Sequence, residues 1–177
     1  MIIYGKQLIL HLLEHYPKRI ETIFLAKECE PKLFSQMARV TDKICRIDEK
    51  KAQALSRGGN HQGFIAQIKD VELTSFNEIK KGSFLVVLDE VTDVGNIGAI
   101  VRSAYAFGAD GLILSGVKTC NLEAILRTSS AAAFELPIAV CASTKDMMNE
   151  LKQIGFSLYG ADMGGVDVKE VTFAPKR

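Results

Sequence analysis

Residues 95 to 114 read GNIGAIVRSAYAFGADGLIL, a small, apolar helical pattern that carries one arginine, Arg102, with Gly98 one turn before it and Ala106 one turn after. On a helical wheel Ile97, Ile100, Val101, Ala104 and Phe107 share one arc, while Gly98, Arg102 and Ala106 fall together on the other side. A helical ion pair would need a carboxylate three or four positions away. Those positions hold Gly98, Ala99, Tyr105 and Ala106, so the guanidinium is expected to meet something outside its own helix. A guanidinium stays charged and forks onto oxyanions, so the chemistry within its reach is stabilisation of a phosphate or an alkoxide. A salt bridge to another element, or plain solubility, accounts for the residue equally well at this level.

The elements that must position Arg102 are legible on both sides of it. Asn96 stands where an N-cap belongs, and Gly108 where a left-handed C-cap belongs. The preceding SFLVVLDE is a continuous apolar run that fits a strand buried on both faces. Arg102 thus rides on a helix that starts at the carboxyl end of a parallel strand, where open α/β sheets bind ligands. The glycines Gly95 and Gly98 make GxxG, not the GxGxxG of dinucleotide folds, and no GxxxxGK[ST] occurs.

The chain has 177 residues, 47% hydrophobic and 24% charged, enough for one ordinary domain with a small extra one. Its longest apolar runs fall short of a bilayer span and MIIYGKQ is not a signal peptide, so a cytoplasmic protein with no membrane partner is expected. Cys29, Cys45, Cys120 and Cys141 form no CxxC pair and lack histidines at zinc spacing, which implies reduced thiols and no metal. Net charge is +1, but the first seventy residues carry 12 Lys+Arg against 8 Asp+Glu and the remainder 10 against 13. A mildly basic front would suit contact with phosphates, and a solvated surface explains it as well.

Two cycles of alternating elements divide the chain. The first runs from a helix in IIYGKQLILHLLEHYP, closed by Pro17, through strand RIETIFLA, helix PKLFSQMARV, strand KICRI, helix EKKAQALSR and a turn at Gly58-Gly59-Asn60 to strand GFIAQI. A polar stretch over 73–82 reads as a linker or short connecting element. The second cycle follows SFLVVLDE with the Arg102 helix, strand GLILS, a helix from Asn121 to Ser129, strand LPIAVC, helix STKDMMNELKQIG and strand FSLYGAD. Such alternation implies a parallel sheet with helices on both sides.

The stretch LDEVTDVGNIGAIVRSAYAFGADGLIL resembles the first signature of the SpoU (TrmH-type) RNA ribose 2′-O-methyltransferases, at Asn96, Gly98, Arg102 and Phe107-Gly108. RTSSAAAFELPIAV resembles the family's small-residue segment, and IIYGKQLILHLLE with GGNHQGFIAQI resembles the two ends of its L30e-like RNA-binding domain. The resemblance implies an L30e-like α/β domain over 1–72, a linker over 73–82 and a parallel-sheet α/β methyltransferase domain of the knotted type over 83–177. It implies S-adenosylmethionine as cofactor and a ribose 2′-hydroxyl of RNA as acceptor, a guanosine of 23S ribosomal RNA in the branch resembled. Arg102 and Asn96 are its catalytic candidates. By the same resemblance Tyr159 and Gly160 border the adenosine. Lys6, Arg57 and Lys69 are candidate phosphate contacts, whereas His61 and Gln62 read as hydrogen-bonded turn residues. The family's LGNEG-like and SLNVSVA-like signatures do not occur before Arg177, so the expectation is a chain truncated before the knot, weakly active alone and a homodimer when complete. The competing reading is a non-catalytic RNA-binding module.

Overall fold

The structure, a computed structural model, describes residues 1–161 and 163–177. In chain order the elements are β1 (Ile2–Tyr4), α1 (Lys6–His15), β2 (Ile20–Leu25), α2 (Pro31–Val40), β3 (Ile44–Arg46), α3 (Glu49–Ser56), β4 (Phe64–Ile68), α4 (Phe76–Ile79), β5 (Leu85–Asp89), α5 (Val94–Ala106), β6 (Gly111–Ser115), α6 (Leu122–Thr128), α7 (Ala132–Glu135), β7 (Ile138–Cys141) and α8 (Thr144–Gln153). They form two compact units, one of Met1–Glu72 with Leu122–Ala131 and one of Leu73–Asn121 with Ala132–Arg177. Residues 122–131, read from sequence as part of the second cycle, are thus grouped with the first.

The first unit holds a four-stranded sheet in the order β1-β4-β2-β3. Strands β2 and β3 are parallel, and β4 pairs antiparallel with β1 and β2. The opening IIY, read as the start of a helix, is strand β1, because Ile2–Tyr4 pairs with Ile65–Gln67 and Gly5 separates it from α1. Helix α1 buries Leu8, Ile9 and Leu12, the helical spacing seen in the sequence. Helix α6 lies on β1 with Ala124, Ile125 and Leu126 buried. Its Arg127 pairs with Glu123 at 2.9 Å and stacks 4.5 Å from the Tyr4 ring centroid. Past α6 the backbone turns left-handed at two residues that are not glycine, Ser130 (φ 52) and Ala131 (φ 74).

In the second unit β5, β6 and β7 are parallel, in that order, with Leu112 beside Val86 and Ile138. Central β6 is buried along its whole length. One face of this sheet, with Leu85, Ile113 and Ala139, packs under Ile79 of α4, Met147 and Leu151 of α8, and Phe156. Helix α5 packs against β6 and α7.

Two expectations fail here for related reasons. SFLVVLDE is not buried on both faces, because β5 is an edge strand and Val86 and Val87 are half-buried. FSLYGAD contains no strand over 156–161, and its last residue lies outside the described ones. A strand needs a ladder, and among the described residues this segment makes one backbone bond to an extended neighbour, from Ser157 N–H to the Lys176 carbonyl at 3.0 Å. Lys176 and Arg177 stand between it and β5, Arg177 N–H donating to the Ser83 carbonyl at 2.7 Å and its carbonyl accepting from Leu85 N–H at 2.8 Å.

Left-handed backbone costs an L-residue with a Cβ about 1 kcal/mol that glycine does not incur. Ala131→Gly should therefore raise unfolding stability by roughly 0.5–1 kcal/mol, net of the glycine's greater freedom when unfolded. Urea denaturation of the two proteins measures this; an unchanged or lowered midpoint would show that the turn is not strained.

Candidate functional site

The site is built around the carboxyl ends of β5 and β6. Asp89, the last residue of β5, accepts hydrogen bonds from Ser115 Oγ at the end of β6 (2.8 Å) and from Thr144 Oγ1 at the start of α8 (2.5 Å). Those hydroxyls, Thr144 first, hold its carboxyl below the ordinary 3.8. The next residue, Glu90, has φ 56, and its N–H donates to the Ser115 carbonyl at 2.9 Å. Gly116 is required opposite it, since a Cβ there would lie 2.7 Å from Glu90 Cγ at a φ of 71.

From this crossing the chain enters α5. Asp93, not Asn96, is the N-cap: its Oδ1 accepts the Asn96 N–H at 2.7 Å. Both residues favour caps, and the sequence DVGN offers them three positions apart; the earlier one wins, and Asn96 becomes the third helical residue. Gly108 (φ 74) closes the helix in the left-handed conformation expected of it. The bonds from Gly108 N–H to Tyr105 and from Ala109 N–H to Ala104 complete a Schellman motif.

Ile97, Val101 and Ala104 form the buried face of α5, as the wheel predicts, and Gly98 is buried beside them. Phe107 does not join them: it is 80% exposed, because it lies past the last helical residue. Arg102 is exposed and has no hydrogen bond or ion pair among the described residues. Asn96 is also exposed. It stands six residues before Arg102, about 9 Å along the helix axis and about 120° around it, and no bond joins them. A pocket of about 170 Å³ opens at these strand ends, lined by Val91, Thr92, Ile97, Leu114, Thr119 and Asn121 among others.

Tyr159 and Gly160 lie apart from this crossing. The Tyr159 hydroxyl accepts the Ala174 N–H at 2.9 Å, and its ring packs edge-on to Phe173 with centroids 4.9 Å apart. Tyr159 also lines a groove of about 630 Å³ beside β5, in which none of the described lining side chains is a carboxylate. S-adenosylmethionine brings an ammonium, a sulfonium and a ribose diol, groups that call for acidic or carbonyl partners. The described side chains of this groove do not fit it, and the pocket at the strand ends is too small for the whole molecule.

In the first unit Lys6 and Arg57 belong to one end of the sheet. The Lys6 N–H donates to Gln62 Oε1 at 3.0 Å, supplying the cap that Gly5 cannot, and Arg57 ends α3 in a left-handed turn at φ 51. His61 is buried: its Nδ1 accepts the Gly63 N–H at 3.0 Å, which puts the ring proton on Nε2, 3.2 Å from Glu49 Oε1. His61 and Gln62 are therefore hydrogen-bonded turn residues, as read. Lys69 lies at the other end of β4, where its N–H donates to the Arg19 carbonyl at 2.8 Å, so it does not gather with Lys6 and Arg57. Sequence reasoning missed Asp89 and Asp93, although the dense carboxylates of LDEVTD, just before the helix, were the available signal. Among the described residues no three metal-ligating side chains converge and no helix is long and apolar enough to cross a membrane.

A parallel-sheet unit that leads from its edge strand into an arginine-bearing helix, preceded by a mixed-sheet unit, defines a two-part α/β protein. Comparison with known proteins makes this specific. Residues 83–177 match the SpoU rRNA methylase family, and residues 2–74 match the RNA 2′-O ribose methyltransferase substrate-binding family. The chain is 30% identical over 160 residues to an uncharacterized tRNA/rRNA methyltransferase of Archaeoglobus fulgidus, covering 87% of this chain and 67% of that one. It is 30% identical over 161 residues to the 23S rRNA (guanosine-2′-O-)-methyltransferase of Haemophilus ducreyi, covering 85% and 65%. An AdoMet-bound rRNA methyltransferase from Sinorhizobium meliloti shares the fold at a TM-score of 0.71 and 24% identity, covering 97% of this chain and 65% of that one. The chain belongs to the SpoU rRNA methylase family, and it spans about two thirds of the length of these relatives.

Two outcomes test the local account. Asp93→Ala should cost about 1 kcal/mol of stability and speed amide exchange at Asn96, with Asp93→Asn close to wild type. Asp89 and Asp110, the latter held below 3.8 by the Phe84 and Ser83 N–H groups, contribute stability that is present above that pH and lost as pH falls through their lowered values. The Asp89→Asn, Asp110→Asn double variant should accordingly lose less stability than wild type between pH 7 and pH 2. Equal losses in urea denaturation at the two pH values would contradict this.

Proposed function

We propose that this chain takes part in methyl transfer from S-adenosylmethionine to a ribose 2′-hydroxyl of ribosomal RNA, with a guanosine of 23S rRNA as the acceptor. The observation that carries the reading is the exposed Arg102 guanidinium, without a carboxylate among the described residues, on the helix that leaves the carboxyl end of β5. Family membership and the 23S rRNA enzyme among the relatives support it. S-adenosylmethionine supplies an electrophilic methyl group; what this chain's residues do concerns the acceptor.

A ribose hydroxyl is a weak nucleophile, and negative charge grows on its oxygen as the proton leaves. Arg102 acts as a cation and not as a base, because a guanidinium delocalises its charge and parts with a proton only at great cost. It therefore acts as a fixed cation beside the nascent alkoxide and the adjacent phosphate. Asp93 holds the helix start, and with it the orientation of Arg102. Asn96 is proposed as a second polar contact to the nucleotide from the helix's first turn. Tyr159 and Gly160 remain proposed as borders of the adenosine only as part of a larger pocket than the described residues make.

The first unit is the proposed RNA-binding part, with domain limits at 1–72, a linker over 73–82 and the catalytic part over 83–177. Lys6 and Arg57 contribute phosphate contacts at one end of its sheet, and Lys69 a separate contact at the other. A homodimer, a knotted topology and a cytoplasmic location belong to the same proposal, with the family resemblance as their support. A purely RNA-binding role is the second reading, and family membership with the 23S rRNA methyltransferase among the relatives weighs against it.

Tritiated methyl transfer to ribosomal RNA separates the two. Arg102→Ala should lower turnover by about 10²–10³-fold, the scale of losing one charge-stabilising donor, with RNA affinity nearly unchanged. Unchanged turnover in Arg102→Ala would remove the catalytic assignment, and RNA binding with no transfer by any form of the chain would favour the binding module. For RNA binding, Lys6→Ala and Arg57→Ala should each reduce the slope of log K against log[salt] by about 0.7–0.9. Slopes equal to wild type would take both residues off the interface.

A further inference from the structure

Between α3 and β4 the chain reverses through His61–Phe64, where the Phe64 N–H donates to the His61 carbonyl at 2.8 Å. Both central residues are left-handed, Gln62 at φ 54 and Gly63 at φ 86, the pattern of a type I′ turn. Gly63 fits because a Cβ there would lie 2.9 Å from Lys27 Cβ. Gln62 is a bulky residue in a place that favours glycine, asparagine or aspartate. The residue before it holds the turn. His61 is 3% exposed, and its Nδ1 accepts the Gly63 N–H at 3.0 Å, the bond that an asparagine makes two residues on in an Asx turn. Its Nε2–H donates to Glu49 Oε1 at 3.2 Å, and the same oxygen accepts from Gln53 Nε2 at 3.1 Å, which clamps the ring to α3.

The Gln62 side chain reaches the start of α1. A backbone N–H can only donate, so the Gln62 atom 3.0 Å from the Lys6 nitrogen is Oε1, and the other amide atom, Nε2, carries two donors. Gln62 is exposed, and among the described residues Nε2 makes no hydrogen bond. The Lys6 side chain is 42% exposed, its ammonium 6.0 Å from the Phe64 ring centroid and 3.9 Å from Glu30 Oε1. Main-chain bonds close the group: Gly5 N–H donates to the Phe64 carbonyl and Ala26 N–H to the Gly63 carbonyl, each at 3.0 Å. An amide donor of fixed direction and an ammonium are thereby tied to one helix start.

We propose that Gln62 is an RNA contact, its Nε2 donating to a phosphate oxygen beside the Lys6 ammonium, and that His61 is the residue that positions it. The proposal rests on the reading of the first unit as the RNA-binding part. With Oε1 engaged by Lys6, the carboxamide offers a ligand only N–H groups, which suit the oxygens of the phosphate backbone. The ammonium supplies charge on a flexible stem, and the anchored amide supplies direction. Glycine at position 62 would suit the backbone better and would carry no amide, so what the Gln62 side chain does accounts for its place in the turn.

The test measures affinity for a ribosomal RNA fragment at fixed salt, with amide exchange by NMR in the free protein. Gln62→Glu keeps an acceptor for the Lys6 N–H and replaces the donors with negative charge. It should leave stability in urea near wild type and weaken RNA binding about 10-fold, the scale of one hydrogen bond to a charged group. His61→Ala should weaken binding by roughly 3- to 10-fold and speed exchange at Gly63 and Lys6, with the Ile65 and Ala66 amides reporting that the sheet is intact. His61→Asn should restore both, because its oxygen reaches the Gly63 N–H, whereas His61→Gln, which matches Nε2 instead, should not. Wild-type affinity in Gln62→Glu would overturn the contact, and equal affinities in His61→Asn and His61→Ala would overturn the positioning role. Lys6→Ala separates the two levels. If it weakens binding and Gln62→Glu does not, RNA meets this end of the sheet without Gln62. If neither variant changes affinity, RNA does not meet this end, and the phosphate contact assigned to Lys6 falls with the proposal.

Discussion

The second unit depends on a strand that water does not reach. All five residues of β6 are buried, so every backbone group of Gly111–Ser115 must be satisfied by a neighbour. Parallel pairing to β5 and β7 does this, and parallel pairing demands crossovers that carry helices over the faces of the sheet. Helix α5 is the first of those crossovers, and its buried face of Ile97, Val101 and Ala104 follows from it. Arg102 lies off that buried face and is exposed.

The carboxyl ends of the strands are tied by polar groups where the apolar packing gives out. Asp89 gathers Ser115 and Thr144, bringing β5, β6 and α8 to one point, and Glu90 and Gly116 accept left-handed backbone to let the chain cross there. The cap at Asp93 then sets where α5 begins, and so the position of Arg102 along that helix. Positioning of the proposed catalytic cation is thus a matter of hydrogen bonds two and three turns away from it.

Much of this was legible in the residues. Period and punctuation located α1, α2, α3, α5 and α8 and six of the seven strands, and Gly108 announced its own left-handed cap. Local pattern could not reveal that β5 is an edge strand, because an apolar run looks the same at an edge and in a centre. It could not exclude a strand at FSLYGAD either, since strands exist only through partners. IIY was hidden by its apolar continuity with the helix after it, and the placing of α6 on β1 depends on contacts more than one hundred residues apart in the chain. At the site, spacing and the absence of nearby acids singled out Arg102, whereas choosing between Asp93 and Asn96 as cap required coordinates.

The catalytic role proposed for Arg102 requires a guanidinium that keeps its charge while the ribose hydroxyl loses its proton. The ¹³C shift of Arg102 Cζ, followed from pH 6 to pH 10 in the complex with a ribosomal RNA fragment, reads that state directly. A shift that stays at the protonated value throughout agrees with a fixed cation. A titration of Arg102 within that range would show it serving as the base and would contradict the mechanism.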